Sequence, residues 1–310
     1  MRTDVTFTSN GLKIAGHLYL PDGTAADADG NATPAPAVVV GHPGSGVKEQ
    51  AAGLYASRLA DAGFVALAFD AAYQGESEGE PRGLEDPAQR VEDLKSAVSF
   101  LTTRPEADSD RIGLLGICAS GGYSLAAAAT DHRIRAVATV SGVDIARQFK
   151  VGADGTQDPA IFQGMLDAVA AARTAEARGE GVQSFGLFPA TAEEARLGGQ
   201  HVFEGWEYYA TPRAGHERSA KTLTWSSVDR IATFDAFAAV SLIAPRPLLL
   251  IVGRNAVTSW MGVQAFQNAG GPKEVHWIDG ASHVDLYDKD EYVAPAIAKL
   301  AEFYTANLAA

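Results

Sequence analysis

Six short runs, each of five or six residues and β-branched or Leu-rich, punctuate this chain: Ala37–Gly41, Val65–Asp70, Ile112–Gly116, Ala136–Val140, Leu248–Gly253 and Glu274–Ile278. Runs this short and apolar suit strands covered on both faces. Between the first three lie amphipathic segments, Glu49–Ala62 and Pro87–Leu101, with helical spacing. Strand alternating with helix is the pattern of an α/β protein whose mostly parallel twisted sheet carries helices on both sides. Ahead of it, Val5–Leu20 alternates around Gly11 and reads as an antiparallel hairpin. The Ala-, Asp-, Gly- and Pro-rich stretch Pro21–Pro36 reads as an exposed loop.

The alternation stops after Asp144 and resumes near Asp235. Asp158-Pro159 has the form of an N-cap followed by proline at the first helical position, opening a helix through about Arg178. Thr191 with Glu194 has the spacing of a capping box. A mostly helical stretch this long is no simple crossover between strands. The division that follows is a core from 1 to 144, a helical cap insertion from 145 to 235, and the rest of the core from 236 to 310, with the cap over the carboxyl ends of the strands.

The segment Arg111-Ile112-Gly113-Leu114-Leu115-Gly116-Ile117-Cys118-Ala119-Ser120-Gly121-Gly122 runs from strand into a turn of small residues, and a helical stretch follows. A nucleophile held at such a turn needs small residues two before and two after it. Cys118, the chain's single cysteine, has Gly116 and Ser120 there. Ser120 is its rival, flanked by Cys118 and Gly122. A thiol at a helix N-terminus is expected to ionise more readily than a free one, with a midpoint below 8.5.

These residues resemble the α/β-hydrolase superfamily, and within it the dienelactone-hydrolase-like branch that carries Cys at the nucleophile turn. Val38-Val39-Val40-Gly41-His42-Pro43-Gly44-Ser45-Gly46 resembles that group's first oxyanion loop, and Gly280-Ala281-Ser282-His283-Val284-Asp285 its histidine loop. Val47-Lys48-Glu49-Gln50 and Tyr208-Tyr209-Ala210-Thr211-Pro212-Arg213 are similar to segments of uncharacterised bacterial members, the latter also to fungal proteins that move polyketide acyl chains. The resemblance implies an α/β-hydrolase fold in which Cys118 attacks a carbonyl and His283, after the last strand, is the general base. The oxyanion hole would be the Ala119 N–H with a second N–H from the stretch Pro43-Gly44-Ser45.

The carboxylate expected after the strand ending at Gly253 is missing, because Arg254-Asn255-Ala256-Val257-Thr258-Ser259-Trp260 contains none. The substitutes weighed are Asn255, then Asp144 from the neighbouring strand, then Asp285 beside the histidine. Lys48 and Glu49 read either as the solvated first turn of the next helix or as charges that tune the thiol. In the cap, Trp206 and Tyr208, with Tyr209 and Trp225 nearby, are candidates for an apolar pocket wall.

The chemistry expected is hydrolysis of an ester, lactone or thioester through a thioester on Cys118, or acyl transfer from the same intermediate. The missing acid keeps a non-catalytic binding protein on the same fold as the alternative. With 25 Lys+Arg against 38 Asp+Glu, a net charge of −13 disfavours nucleic acid and anionic membrane as partners. The expected partner is a small-molecule acyl substrate, and Ala-rich surface helices permit a homodimer. One cysteine and seven scattered histidines suggest no metal site, and no cofactor is expected. With no long apolar run, the default location is cytoplasmic.

Overall fold

The computed structural model describes residues 1–23 and 33–309, so most of the loop expected at Pro21–Pro36 lies outside the described residues. The strands are β1 (Arg2–Ser9), β2 (Leu12–Tyr19), β3 (Ala35–Gly41), β4 (Val65–Phe69), β5 (Ala107–Ile117), β6 (Ile134–Val140), β7 (Ser184–Gly186), β8 (Thr222–Thr224), β9 (Leu248–Gly253) and β10 (Lys273–Ile278). Eight of them form one sheet in the order β1-β2-β4-β3-β5-β6-β9-β10, and β7 and β8 pair separately. The expected hairpin is β1–β2, joined by Asn10-Gly11 with φ of 47° and 83°, the two left-handed positions that a tight hairpin turn demands. From β4 onward across the main sheet the strands run parallel. The fold is the α/β-hydrolase architecture that the sequence implied. β5 begins five residues before the apolar run that announced it, because its first half, Ala107–Arg111, is largely polar and partly exposed.

The helices are α1 (Ala51–Asp61), α2 (Pro87–Leu101), α3 (Ala119–Thr130), α4 (Ile145–Val151), α5 (Pro159–Ala177), α6 (Ala192–Leu197), α7 (Gln200–Ala210), α8 (Ser226–Ala232), α9 (Ser259–Asn268), α10 (Asp285–Asp288) and α11 (Asp290–Asn307). Because side chains alternate across a strand, β3 splits its residues between two cores. Ala37 and Val39 pack with Leu94 of α2, Ala127 of α3 and Met261 of α9. Val38 and Val40 pack with Tyr55 of α1 and Leu300 of α11. Among the described residues no helix is long and apolar enough to cross a membrane.

The stretch between β6 and β9 carries α4 to α8 and the β7–β8 pair. Asp158 caps α5 by accepting the Ala160 N–H at 2.9 Å, with Pro159 in the first helical position. Thr191 and Glu194 form a complete capping box on α6. What positions the site is the parallel register, in which Gly41 lies opposite Gly116, Val140 opposite Ile117 and Ile251, and Gly253 opposite Ile278. Strands β3, β5, β6, β9 and β10 therefore deliver the loops that follow them to one edge of the sheet. Chain order reverses between β3 and β5, which is where α/β sheets open a crevice.

Candidate active site

Cys118 is a single residue pinned between β5 and α3, with φ 55° and ψ −119°. That left-handed backbone is strained for a side chain with a Cβ, and it persists only because the surroundings hold it. The Cys118 N–H donates to Val140 O at 3.0 Å, and the Val143 N–H donates to Cys118 O at 3.0 Å. A Cβ on Gly116 would stand 2.1 Å from Ser120 O, one on Gly121 2.5 Å from Gly142 Cα, and one on Gly122 2.6 Å from Val143 O. The small residues around Cys118 are thus required by backbone approach. Ser120 is not free to act as its rival: it is buried, its hydroxyl donates to His42 O at 2.5 Å and accepts from Arg90 at 3.1 Å.

Two backbone N–H groups, of Ala119 and Gly44, converge on the Cys118 sulfur. Within the loop stretch expected to give the second donor, it is the Gly44 N–H that reaches the sulfur. Pro43 has no N–H, and its carbonyl closes the turn by accepting from Gly46 at 3.1 Å. Ser45, at φ 60°, turns its hydroxyl back onto Gly44 O at 2.6 Å, while its own carbonyl accepts the Ala220 N–H at 3.1 Å. His42 anchors the loop from below, its Nδ1 against Pro43 O at 2.6 Å and its Nε2 accepting the Ala71 N–H at 3.1 Å. Burial and then the Arg90 charge keep that imidazole neutral.

Lys48 is not on a solvated helix turn and does not reach the thiol. It is 1% exposed, with Nζ 2.8 Å from Asp70, 2.9 Å from Glu49 and 2.6 Å from Glu76. Its backbone N–H also donates to Asp70 at 2.8 Å, so one buried carboxylate holds both ends of the residue that follows the oxyanion loop. Burial alone would raise the Glu49 carboxyl, but Lys48 and Arg218 outweigh it and hold the group down at about 2.

His283 is fully buried at the carboxyl edge of β10. Gly253 makes room for its loop, since a Cβ there would stand 2.5 Å from Ala281 O. The partner of its Nδ1 is Thr258, whose hydroxyl lies 2.6 Å away. Thr258 is the N-cap of α9, yet its side chain makes no capping bond, because the hydroxyl is turned to the histidine instead. Both favoured substitutes for the missing acid are therefore corrected. Asn255 is exposed and donates to Gly280 O at 3.2 Å. Asp144, 0% exposed, caps α4 and accepts the Ala146 and Ala236 N–H groups at 2.8 and 3.0 Å, which uses both of its oxygens. Asp285 accepts from Ser282 N at 3.1 Å and pairs with Lys289 at 2.7 Å.

On the other side of the ring, Nε2 lies 2.9 Å from the Tyr287 hydroxyl, which also hydrogen-bonds the Cys118 thiol. The three groups thus form a chain, His283 to Tyr287 to Cys118. Burial, and then the neighbouring His201, push His283 well below its usual value. Burial also raises the Cys118 thiol, against the lowering effect of Tyr287 and the two N–H groups. Desolvation disfavours both charged forms, and among the described residues no carboxylate touches the histidine to favour the imidazolium, so both directions run against the low thiol midpoint expected. Alkylation of Cys118 by iodoacetamide is accordingly expected to keep rising with pH through 9. Thr258→Asp, which supplies that carboxylate, should move the midpoint down by about one unit or more. A wild-type plateau below pH 8 would contradict the neutral resting pair.

Around Cys118 lies a cavity of about 210 Å³, walled in part by residues of the stretch 145–235 that include Phe149, Leu187, Phe188, His201 and Tyr209. Tyr209 is the wall residue and Tyr208 is not. The Tyr208 hydroxyl accepts the Ala51 N–H at 3.0 Å, beneath the start of α1, and Trp206 stacks on Phe203 away from the cavity. His201 was missed by sequence reasoning, since nothing near it in the chain marks it. It meets His283 edge-on with ring centroids 4.8 Å apart.

The dienelactone hydrolase family model matches residues 22–180, a span that holds the oxyanion loop and Cys118. The chain belongs to the dienelactone hydrolase family. It is 40% identical over 275 residues to the uncharacterised protein YcjY of Escherichia coli, covering 88% of this chain and 89% of that one. The crystal structure of the hypothetical protein PA2218 from Pseudomonas aeruginosa superposes with a TM-score of 0.90 at 33% identity, covering 99% of this chain and 94% of that one. The thiohydrolase aneE of Aspergillus aculeatus is 28% identical over 90% of this chain and 85% of its own. Family and relatives together support hydrolase or acyl-transfer chemistry on this fold.

Proposed function

We propose that this family member hydrolyses small acyl thioesters, and activated esters or lactones of similar size, through an acyl-thioester on Cys118. The observation that carries the reading is the convergence of the Gly44 and Ala119 N–H groups on a strained cysteine in a partly open, largely apolar cavity. Two donors at that point await the oxyanion of a tetrahedral intermediate, where one donor typically accounts for a factor of about 10² to 10³ in rate. The stretch 145–235 acts as the cap, and the cavity of about 210 Å³ that its residues bound around Cys118 favours a small acyl group.

With His283 Nδ1–H donating to Thr258, Nε2 holds a lone pair toward Tyr287. As sulfur attacks the carbonyl carbon, the thiol proton passes to the Tyr287 oxygen while the tyrosine's own proton passes to Nε2. The oxyanion collapses, the leaving thiolate or alkoxide takes the proton from the imidazolium, and the acyl group stays on sulfur. Water, deprotonated by the same imidazole, then releases the acid. Thr258 is a positioning residue: a neutral hydroxyl fixes the tautomer, and a thiol starting near 8.5 to 9 needs less assistance than a serine hydroxyl. Exclusion of water by the cap would hand the same intermediate to an alcohol or amine, which is the acyl-transfer variant.

Rapid mixing with p-nitrophenyl butyrate should release a burst of about one equivalent of p-nitrophenol. Tyr287→Phe should slow that burst by about 10²-fold or more, as expected for a proton-transfer partner. A Tyr287→Phe burst as fast as wild type would remove the tyrosine from the proton path. No turnover of esters, lactones or thioesters by wild type would overturn the reading.

A further inference from the structure

Beside the cavity lies a second, outer groove of about 540 Å³, and Gln148, Phe149, Leu187, His201 and Val202 line both spaces. These residues, from α4, α7 and the turn between β7 and α6, form the partition between them. Its polar part is one contact, Gln148 Nε2 to His201 Nε2 at 3.0 Å. Among the described residues Gln148 Oε1 and His201 Nδ1 are both buried without a hydrogen-bond partner. Burial holds His201 at about 4, so at neutral pH the ring carries one N–H and one lone pair. If the Gln148 amide N–H donates to Nε2, the pair has His201 N–H left to give and Gln148 O left to accept. If the amide is turned over, His201 gives its Nε2–H to Gln148 O, and what remains is the two amide N–H groups and the Nδ1 lone pair. Either way at least one donor and one acceptor are left, and buried polar groups without partners are costly enough to point to something that completes them.

We propose that this pair is a recognition site for a secondary amide in the leaving group, whose C=O and N–H take the spare donor and acceptor. The acyl chain would occupy the cavity at Cys118 and the amide-bearing thiol or alcohol would cross the partition into the outer groove. The proposal rests on the thioesterase reading above and names its substrate class. A simple alkyl leaving group would cross the same partition while leaving both polar groups buried and unpaired, which is what generates discrimination.

The test compares two butanoyl thioesters of matched leaving-group length, those of N-acetylcysteamine and of pentane-1-thiol, in wild type, Gln148→Leu and His201→Phe. Wild type should show a kcat/KM about tenfold or more in favour of the amide-bearing ester. In each variant that ratio should fall toward one, with melting temperature confirming the fold. His201→Phe keeps a ring against His283, so the ratio separates recognition from packing. No preference in wild type, or a preference that survives both substitutions, overturns the proposal. Hydrolysis of the pentane-1-thiol ester by wild type establishes the thioesterase reading independently of the ratio, and failure to cleave either ester sinks both.

Discussion

Cys118→Ala should reduce turnover of p-nitrophenyl butyrate and of short acyl thioesters by at least about a thousandfold while leaving the melting temperature close to wild type, because in the proposed mechanism it removes only the group that attacks. Alanine keeps the Cβ that the strained turn already accommodates, and the oxyanion donors stay on the backbone. Ser120→Ala should do the reverse. Its hydroxyl bridges His42 O and Arg90, both buried, so its loss falls mainly on stability, at about 1 to 3 kcal/mol. The measurement is kcat/KM beside a thermal melt for both variants. An active Cys118→Ala with a dead Ser120→Ala would place the nucleophile two residues further on.

Lys48→Met is expected to be the most destabilising single change. It leaves Asp70, fully buried, and Glu49 without the ammonium that both contact, and breaking a buried ion pair from one side costs about 3 to 5 kcal/mol. Activity should fall too, since Lys48 follows the loop that presents Gly44. The effect carries a pH signature. Glu49 is held at about 2 against an ordinary 4.5, so its contribution is complete above about 4.5 and is lost as pH falls toward 2. The stability gap between wild type and Lys48→Met, read by urea denaturation, should be widest near neutrality and narrow below pH 4.5. A gap that widens in acid would mean that the lysine is not what depresses Glu49.

The parallel sheet, the hairpin, the caps of α5 and α6, and the nucleophile turn were legible because each follows from local sterics. Only small residues fit where Gly116, Gly121 and Gly122 meet neighbouring backbone, and that requirement is written in the sequence. The partner of His283 was not legible for a different reason. A search for a carboxylate passes over Thr258, although it stands in the stretch after β9 where the acid belongs, and its hydroxyl would ordinarily be assigned to capping α9. Tyr287, one turn past His283 on a short helix, was passed over likewise, because nothing beside it in the chain marks its hydroxyl for the sulfur. Lys48 read either as a solvated charge or as one that tunes the thiol, and only the tertiary approach of Asp70 and Glu76 shows it buried in an ion-pair cluster. Tyr208 and Tyr209 are neighbours on α7, about 100° apart around its axis, so which of them faces the cavity depends on how the helix docks. His201 is set by that same docking.

The identity and position of the covalent intermediate test the whole account most directly. Wild-type enzyme should be quenched in acid during turnover of p-nitrophenyl butyrate and digested, and the acylated peptide located by mass spectrometry. A single butanoyl group on Cys118, released by neutral hydroxylamine as a thioester is, is the result the geometry predicts. A butanoyl group on Ser120, or steady turnover with no acyl group on Cys118 in a Tyr287→Phe or Thr258→Asp background as well as in wild type, would contradict it.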